Sequence, residues 1–333
     1  MRILVLGGGG FLGHHLVSAA LAGGHEVTQL SRSGTPREGV EVLVGDRTGD
    51  LSALEGRTFD ACADTFSDPG AVARTAALLS GRVGAYGYVS GMSVYHPRGD
   101  AVPDESSPVR TPATAGDEDP LQERSLAKLA GEGAVAEHFD GPALVLRVGI
   151  MTGPRDPTDR FTWWPVRMAR ALAGDADRQV LVPGDLSRPV QHSDARDVAA
   201  FAVARLSAGA GGTYDVVGPG RRETLADVLG ACLRAAGGVP GDLDLVAVDE
   251  DALREALADV EEEQRPLWFP EDQIPQEAVD SSAAVAAGLA FRPVEDTARD
   301  VLAEVREHGR LEDLRAGVPA DRECALLERL PRA

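Results

Sequence analysis

"MRILVLGGGGFLGHHL", residues 1–16, decides how the rest of the chain is read. A short apolar run from Ile3 to Leu6 turns directly into four glycines, and Phe11 then opens a stretch with helical spacing. That is the pattern of a strand, a tight turn and a helix. Gly7, Gly10 and Gly13 are spaced GxxGxxG. Such a loop needs a tight turn, then bare backbone beside a pyrophosphate, then close packing of helix on sheet. The helix N-terminus offers unpaired N–H groups to the phosphates. The segment has no secretory h-region or cleavage site, so no leader is expected.

The same alternation continues. "RILVLG", "HEVTQLS", "VEVLVGD", "FDACADT", "YGYVSG" and "ALVLRVG" are short apolar runs, separated by helical patterns such as "DPGAVARTAALLSG". Continuous apolar runs joined by helices predict buried parallel strands. The expected fold is α/β, a Rossmann-type doubly wound parallel sheet with a smaller mixed α/β C-terminal domain. Residues 1–150 form the expected dinucleotide domain, with part of 190–218 returning to it. Residues 151–333 are mainly a substrate domain. In that half, "TLADVLGACLRAAGG" has capping-box spacing at Thr224 and Asp227, and a further helix follows Pro293. Residues 103–120, rich in Pro, Ser and Asp, read as a mobile lid, and the tail from Gly309 as loosely ordered.

Bulk properties narrow the function. A net charge of −20 argues against nucleic acid and anionic membranes. No apolar run is long enough to span a bilayer. Three scattered cysteines, Cys62, Cys232 and Cys324, form no metal or disulfide pattern, which suits a reducing cytoplasm. A small-molecule enzyme is expected. One lysine, Lys128, stands among 33 basic residues.

The second strand ends in Ser31 followed by Arg32, where an NAD site would place a carboxylate for the ribose. Serine and a guanidinium suit a 2′-phosphate, so NADP is expected over NAD. Asp46 and Arg47, at the end of the third strand, are placed to meet the adenine.

With the glycine loop, "VSGMSVY" at 89–95 and "KLAGE" at 128–132, the chain resembles the extended short-chain dehydrogenase/reductases. More narrowly it resembles the NAD-dependent epimerase/dehydratase family and its bacterial biosynthetic reductases. "GPRDPTDRFTWWPVRMARA" and "RPVQHSDARDVAAF" extend the likeness over most of the chain. The resemblance implies that Lys128 holds the nicotinamide ribose and that a tyrosine four residues earlier is the general acid. It also implies cofactor contacts at Phe11, Leu12 and Thr65. Two positions depart from the pattern. Arg124 stands where the tyrosine belongs, and Gly91, between Ser90 and Ser93, stands where a Ser or Thr belongs. An arginine has no proton to give near neutral pH.

Tyr95 is the first candidate for a substitute acid, with Ser90 in the hydroxyl role and His192 as a second donor. Arg124 would act electrostatically on an oxyanion or a substrate carboxylate. Tyr95, Trp163, Arg188, Gln191, His192 and Trp268 are the substrate-binding candidates. The expected function is an NADP-dependent reductase of a small organic metabolite, in secondary metabolism, working as a monomer or homodimer. A non-redox cyclase, isomerase or dehydratase is the alternative, and a non-catalytic dinucleotide sensor the third.

Overall fold

The computed structural model describes residues 1–96, 102–111, 122–218, 223–268 and 279–333. The chain opens as β1 (Arg2–Leu6), α1 (Phe11–Ala22), β2 (Glu26–Ser31), β3 (Val40–Val44), β4 (Ala61–Asp64), α2 (Pro69–Leu79), β5 (Tyr86–Gly91), α3 (Gln122–His138) and β6 (Ala143–Val148). Next come β7 (Met151–Thr152), α4 (Trp163–Ala173), β8 (Gln179–Pro183), β9 (Pro189–Val190), β10 (Ser193–Asp194), α5 (Ala195–Ser207) and β11 (Gly212–Val216). The remainder is β12 (Glu223–Thr224), α6 (Leu225–Ala235), β13 (Asp244–Val248), α7 (Glu250–Ala256), α8 (Ser282–Ala286), α9 (Val294–Glu307) and α10 (Ala320–Arg329).

Two compact units result. The first holds Met1–Ile150, Ala195–Gly220 and Pro275–Phe291. The second holds Met151–Asp194, Arg221–Ile274 and Arg292–Ala333.

In the first unit all six apolar runs are strands. With β11 they form a seven-stranded parallel sheet in the order β11-β6-β5-β4-β1-β2-β3. Ile3, Leu4, Val5 and Leu6 are each at most 1% exposed, because both faces of a parallel sheet are covered. Each such side chain contributes about 1.5–3 kcal/mol of burial. α2 and α3 pack together, and α1 packs on α5. Leu4, Leu6, Cys62, Val72, Tyr86 and Tyr88 share one core cluster. Asp68 caps α2 by accepting from Ala71 N, and Pro69 opens the helix. The chain runs from β1 outward through β2 to β3, then crosses to β4 on the other side. The strand order therefore reverses between β1 and β4, and a ligand crevice opens at such a point.

The second unit is smaller. β13 pairs with β8, α10 packs on β8, and α4, α6 and α9 pack on one another. The capping box at Thr224 and Asp227 is present in full and starts α6. The tail departs from the loosely ordered reading. It forms α10, whose Glu323 is 2% exposed. Glu323 accepts from Arg167 Nε at 2.7 Å and from Leu181 N at 3.0 Å. A buried acidic residue pins the helix, a role that its charge concealed in the sequence.

The lid reading at 103–120 also changes. Residues 103–111 are tied down: Asp280 N donates to Pro103 O, and Arg110, 5% exposed, donates to Ser93 O and Tyr95 O. Residues 112–120 lie outside the described residues. No helix among the described residues is long and apolar enough to cross a membrane.

Candidate active site

The glycine turn lies where β1 hands over to α1. Gly7 has φ +93°, a left-handed conformation that strains other residues. A Cβ on Gly13 would overlap the carbonyl of Gly7, so only glycine lets α1 sit this close to the turn. Gly10 N donates to Gly7 O at 3.0 Å and closes the loop. α1 starts at Phe11 with no side-chain cap. Gly9 and Gly10 are exposed, and nothing lies within 4 Å of where a Cβ on Gly9 would be. A bare backbone cradle at an uncapped helix N-terminus fits a pyrophosphate. Leu12 is buried beneath it. Thr65, just past β4, packs on Gly7 and donates to Leu6 O at 3.2 Å.

Beside this cradle, β2 ends at Ser31, whose hydroxyl meets Ser33 at 3.1 Å, and Ser33 meets Thr35 at 2.8 Å. Arg32 is exposed. Asp46 is half-buried, and accepts from Thr48 N and Oγ1, which together with the charge of Arg32 hold its carboxyl below the usual range.

Arg47 does not face an adenine, which corrects the sequence reading. It is 7% exposed and grips Asp64 at 2.5 and 2.6 Å, with Tyr86 Oη donating to the same carboxylate at 2.5 Å. The partner lies at the end of β4, which β1 and β2 separate from β3 in the sheet, and is invisible from the local "GDR". A buried bidentate pair spends the guanidinium inside.

The ends of β5, β6 and β11 carry a polar row. Ser90, Arg147 and Asp215 are direct neighbours in register on three adjacent strands, so they point to one face. Glu132 of α3 reaches the row: Ser90 Oγ donates to it at 2.5 Å, and Arg147 donates to it at 3.0 and 2.8 Å. Arg147 Nη1 also donates to Tyr95 Oη at 3.0 Å, and Tyr95 Oη donates onto Asp215, 2.8 Å from both carboxylate oxygens. Glu105 accepts from Asp215 N at 2.9 Å. Burial raises the Asp215 carboxyl to about 7, the charges of Glu105 and Asp104 add to this, and Tyr95 and Arg147 oppose it.

Tyr95 is therefore not a free acid. It is 5% exposed, its proton is committed to Asp215, and burial raises its phenol well above the ordinary value. Ser90, 1% exposed, is likewise committed to Glu132. Sequence reasoning missed Glu132, Arg147, Asp215 and Glu105. A signal existed, since "YGYVSG", "ALVLRVG" and "TYDVVG" each carry a polar residue near the end of an apolar run.

Lys128 lies beside this row. Its Nζ donates to Val89 O at 2.9 Å and stands 5.4 Å over the Tyr88 ring. Burial pulls its pKa down to about 8; Asp64 opposes the shift and Arg124 adds to it. Arg124 is exposed, one turn earlier on α3, so the two cations share a helix face.

In the second unit the remaining candidates are packed inside. Trp163 and Trp164 meet edge to face at 4.8 Å, and Trp164 Nε1 donates to Leu267 O. Trp163, Gln191 and Trp268 are each at most 8% exposed. Arg188 is not available as a substrate anchor: it pairs with Glu250 and donates to Trp268 O and Pro183 O. His192 is not an imidazolium donor either. It lies beside Thr152 Oγ1 at 3.2 Å, and burial pushes its pKa down to about 4, with Asp194 opposing. Among the described residues no group of His, Cys, Asp and Glu could hold a metal ion.

A seven-stranded parallel sheet with a glycine turn at its switch point defines a Rossmann-type α/β protein. The chain belongs to the NAD dependent epimerase/dehydratase family, which residues 3–217 match. Solved structures share the fold at low identity. A UDP-N-acetylglucosamine 4-epimerase from Bacillus cereus is 16% identical with a TM-score of 0.64, over 92% of this chain and 99% of that one. A UDP-glucuronic acid 4-epimerase from Bacillus cereus, in complex with NAD, is 17% identical with a TM-score of 0.64, over 95% and 100%. A human epimerase family protein with NADPH is 21% identical with a TM-score of 0.60, over 91% and 99%. No curated protein matches the chain.

Proposed function

We propose that the protein is an NADP-dependent oxidoreductase that reduces a carbonyl group on a small organic metabolite. The end of β2 carries the reading. Ser31, Ser33 and Thr35 form a run of hydroxyls there, Arg32 is exposed beside them, and no carboxylate follows the strand directly. Neighbours of this fold were solved with NAD and with NADPH, so the choice of dinucleotide rests on those side chains. Gly7 to Gly13 would hold the pyrophosphate, Arg32 the 2′-phosphate and Lys128 the nicotinamide ribose. The dinucleotide, when bound, supplies the hydride.

The chain's own share is electrostatic. Tyr95, Ser90 and His192 are each committed or neutral, so none replaces the missing tyrosine. Arg124 and Lys128 would offer positive charge to the developing oxyanion, which would take its proton from solvent.

Fluorescence titration with NADPH and NADH tests the reading. NADPH should bind more tightly, and Arg32→Ala should weaken it selectively by about 1.5–3 kcal/mol. Equal affinities for the two dinucleotides would overturn it. That neither Tyr95, Ser90 nor His192 is a free acid favours a second reading, a non-redox enzyme on the same scaffold. Substrate turnover with no change in NADPH absorbance would select it.

A further inference from the structure

Lys128 is the single lysine of the chain, and its surroundings are poor for an ammonium. The residue is 8% exposed. Among the described residues its Nζ has one hydrogen bond, to the neutral Val89 carbonyl. From β5 it meets the Tyr88 ring, and from its own helix the positive charge of Arg124. Glu132, one turn further along α3, is committed to Arg147 and Ser90. Asp64 at the end of β4 acts on Lys128 only through space and is gripped by Arg47. No carboxylate among the described residues forms an ion pair with Lys128.

Desolvation beside a second cation is the environment that turns a lysine into a nucleophile. With a pKa of about 8, a substantial share of Nζ is the free amine near neutral pH. An ordinary lysine, at about 10.4, would hold well under one per cent there. The amine can donate one N–H to Val89 O and still present its lone pair.

We propose that Lys128 forms an imine with a small oxo acid, whose carboxylate is received by Arg124. The lone pair of Nζ attacks the carbonyl carbon, and a C–N bond forms while the C=O π pair moves to oxygen. Two protons, one from Nζ and one from solvent, leave with that oxygen as water. The protonated imine remains, and nothing is oxidised or reduced. Its positive nitrogen draws electrons from the neighbouring carbon, which suits enolisation or loss of carbon dioxide. The substrate class is a 2- or 3-oxo carboxylate. Arg124 is exposed and one turn from the amine, about 5–6 Å between Cβ atoms.

The inference shares Lys128 with the reductase reading but does not need the dinucleotide. The whole chain is incubated with pyruvate and sodium cyanoborohydride across pH 6 to 11, and adducts are mapped by mass spectrometry. The Met1 α-amine, near His25, is the internal standard, because it is the only other primary amine.

Lys128 should carry the reduced adduct, with a half-maximal rate near pH 8. Pyruvate should label Lys128 at least tenfold faster than acetone. Arg124→Gln, an exposed change, should remove that preference and move the half-maximum to higher pH. Lys128→Arg should leave only the Met1 adduct. Labelling confined to Met1, or a Lys128 rate still rising beyond pH 10, would overturn the proposal.

NADPH binding is measured on the same protein. An adduct in protein that binds no NADPH would sink the reductase reading and leave the imine intact. Binding of NADPH with no adduct in its absence would do the reverse.

Discussion

At the carboxyl ends of β1 and β2 the chain leaves polar groups open, whereas at the ends of β5, β6 and β11 it pairs them with one another. On the first side stand an uncapped helix start, the exposed Gly9 and Gly10, and the exposed Arg32. On the second, Ser90, Glu132, Arg147, Tyr95 and Asp215 are bonded in sequence within one buried row. Both sides are polar, so polarity alone does not mark a site. Open donors invite a ligand, and closed networks hold a scaffold. The family tyrosine position falls at the junction: Arg124 is open to solvent, and Lys128, one turn on, rests against the closed row.

If the closed row is scaffold, breaking it should cost stability before anything else. Arg147→Leu strands Glu132 and Asp215 without their cation. The expected loss is about 3–5 kcal/mol, read by chemical denaturation. A loss below 1 kcal/mol would show that the row is not a closed unit.

The row should also carry a pH signature. The folded-state pKa of Asp215 is raised from its ordinary value of 3.8 to about 7. The fold therefore favours the protonated form. Below pH 4 the group is protonated in both states and costs nothing. Between pH 4 and pH 7 the unfolded chain ionises first, and stability falls as pH rises. Above pH 7 the full penalty is present, roughly 2–4 kcal/mol. Asp215→Asn should remove this slope and be the more stable protein at pH 8. A variant with the same slope as the parent would place the titration elsewhere.

On the open side the same comparison predicts a loss of binding with a smaller loss of stability. A methyl on Gly13 would press on the Gly7 carbonyl, and Gly13→Ala should cost about 1–3 kcal/mol of overpacking. Binding of a dinucleotide should fall much further, since the turn that presents the backbone must move. Unchanged affinity, measured by titration, would separate the glycine turn from phosphate binding.

The sheet and its switch point were legible, because apolar runs and spaced glycines are local signals. The roles of single polar residues were not, because register across strands sets them. Arg47 looked like a ligand residue until Asp64, at the end of β4, proved to hold it. Tyr95 looked like a spare acid until β11 brought Asp215 beneath it. His192 kept its chemistry in the sequence and lost it to burial. Ser90, Arg147 and Asp215 are 57 and 68 residues apart in sequence and adjacent in space. Only the polar interruption of three apolar runs hinted at the row.

The smallest stability effect should come from Arg124. It is exposed, and Lys128, one turn along the same helix face, carries the same sign. Arg124→Gln removes a repulsion between two residues on one helix face and disturbs no packing. Stability should change by no more than about 0.5 kcal/mol, towards the more stable side, in denaturant unfolding. Arg147 and Arg124 then form a matched pair, one arginine that the fold requires and one that it does not. A loss of 2 kcal/mol or more on Arg124→Gln would instead assign it to the scaffold, and would move the boundary between the two sides past the family tyrosine position.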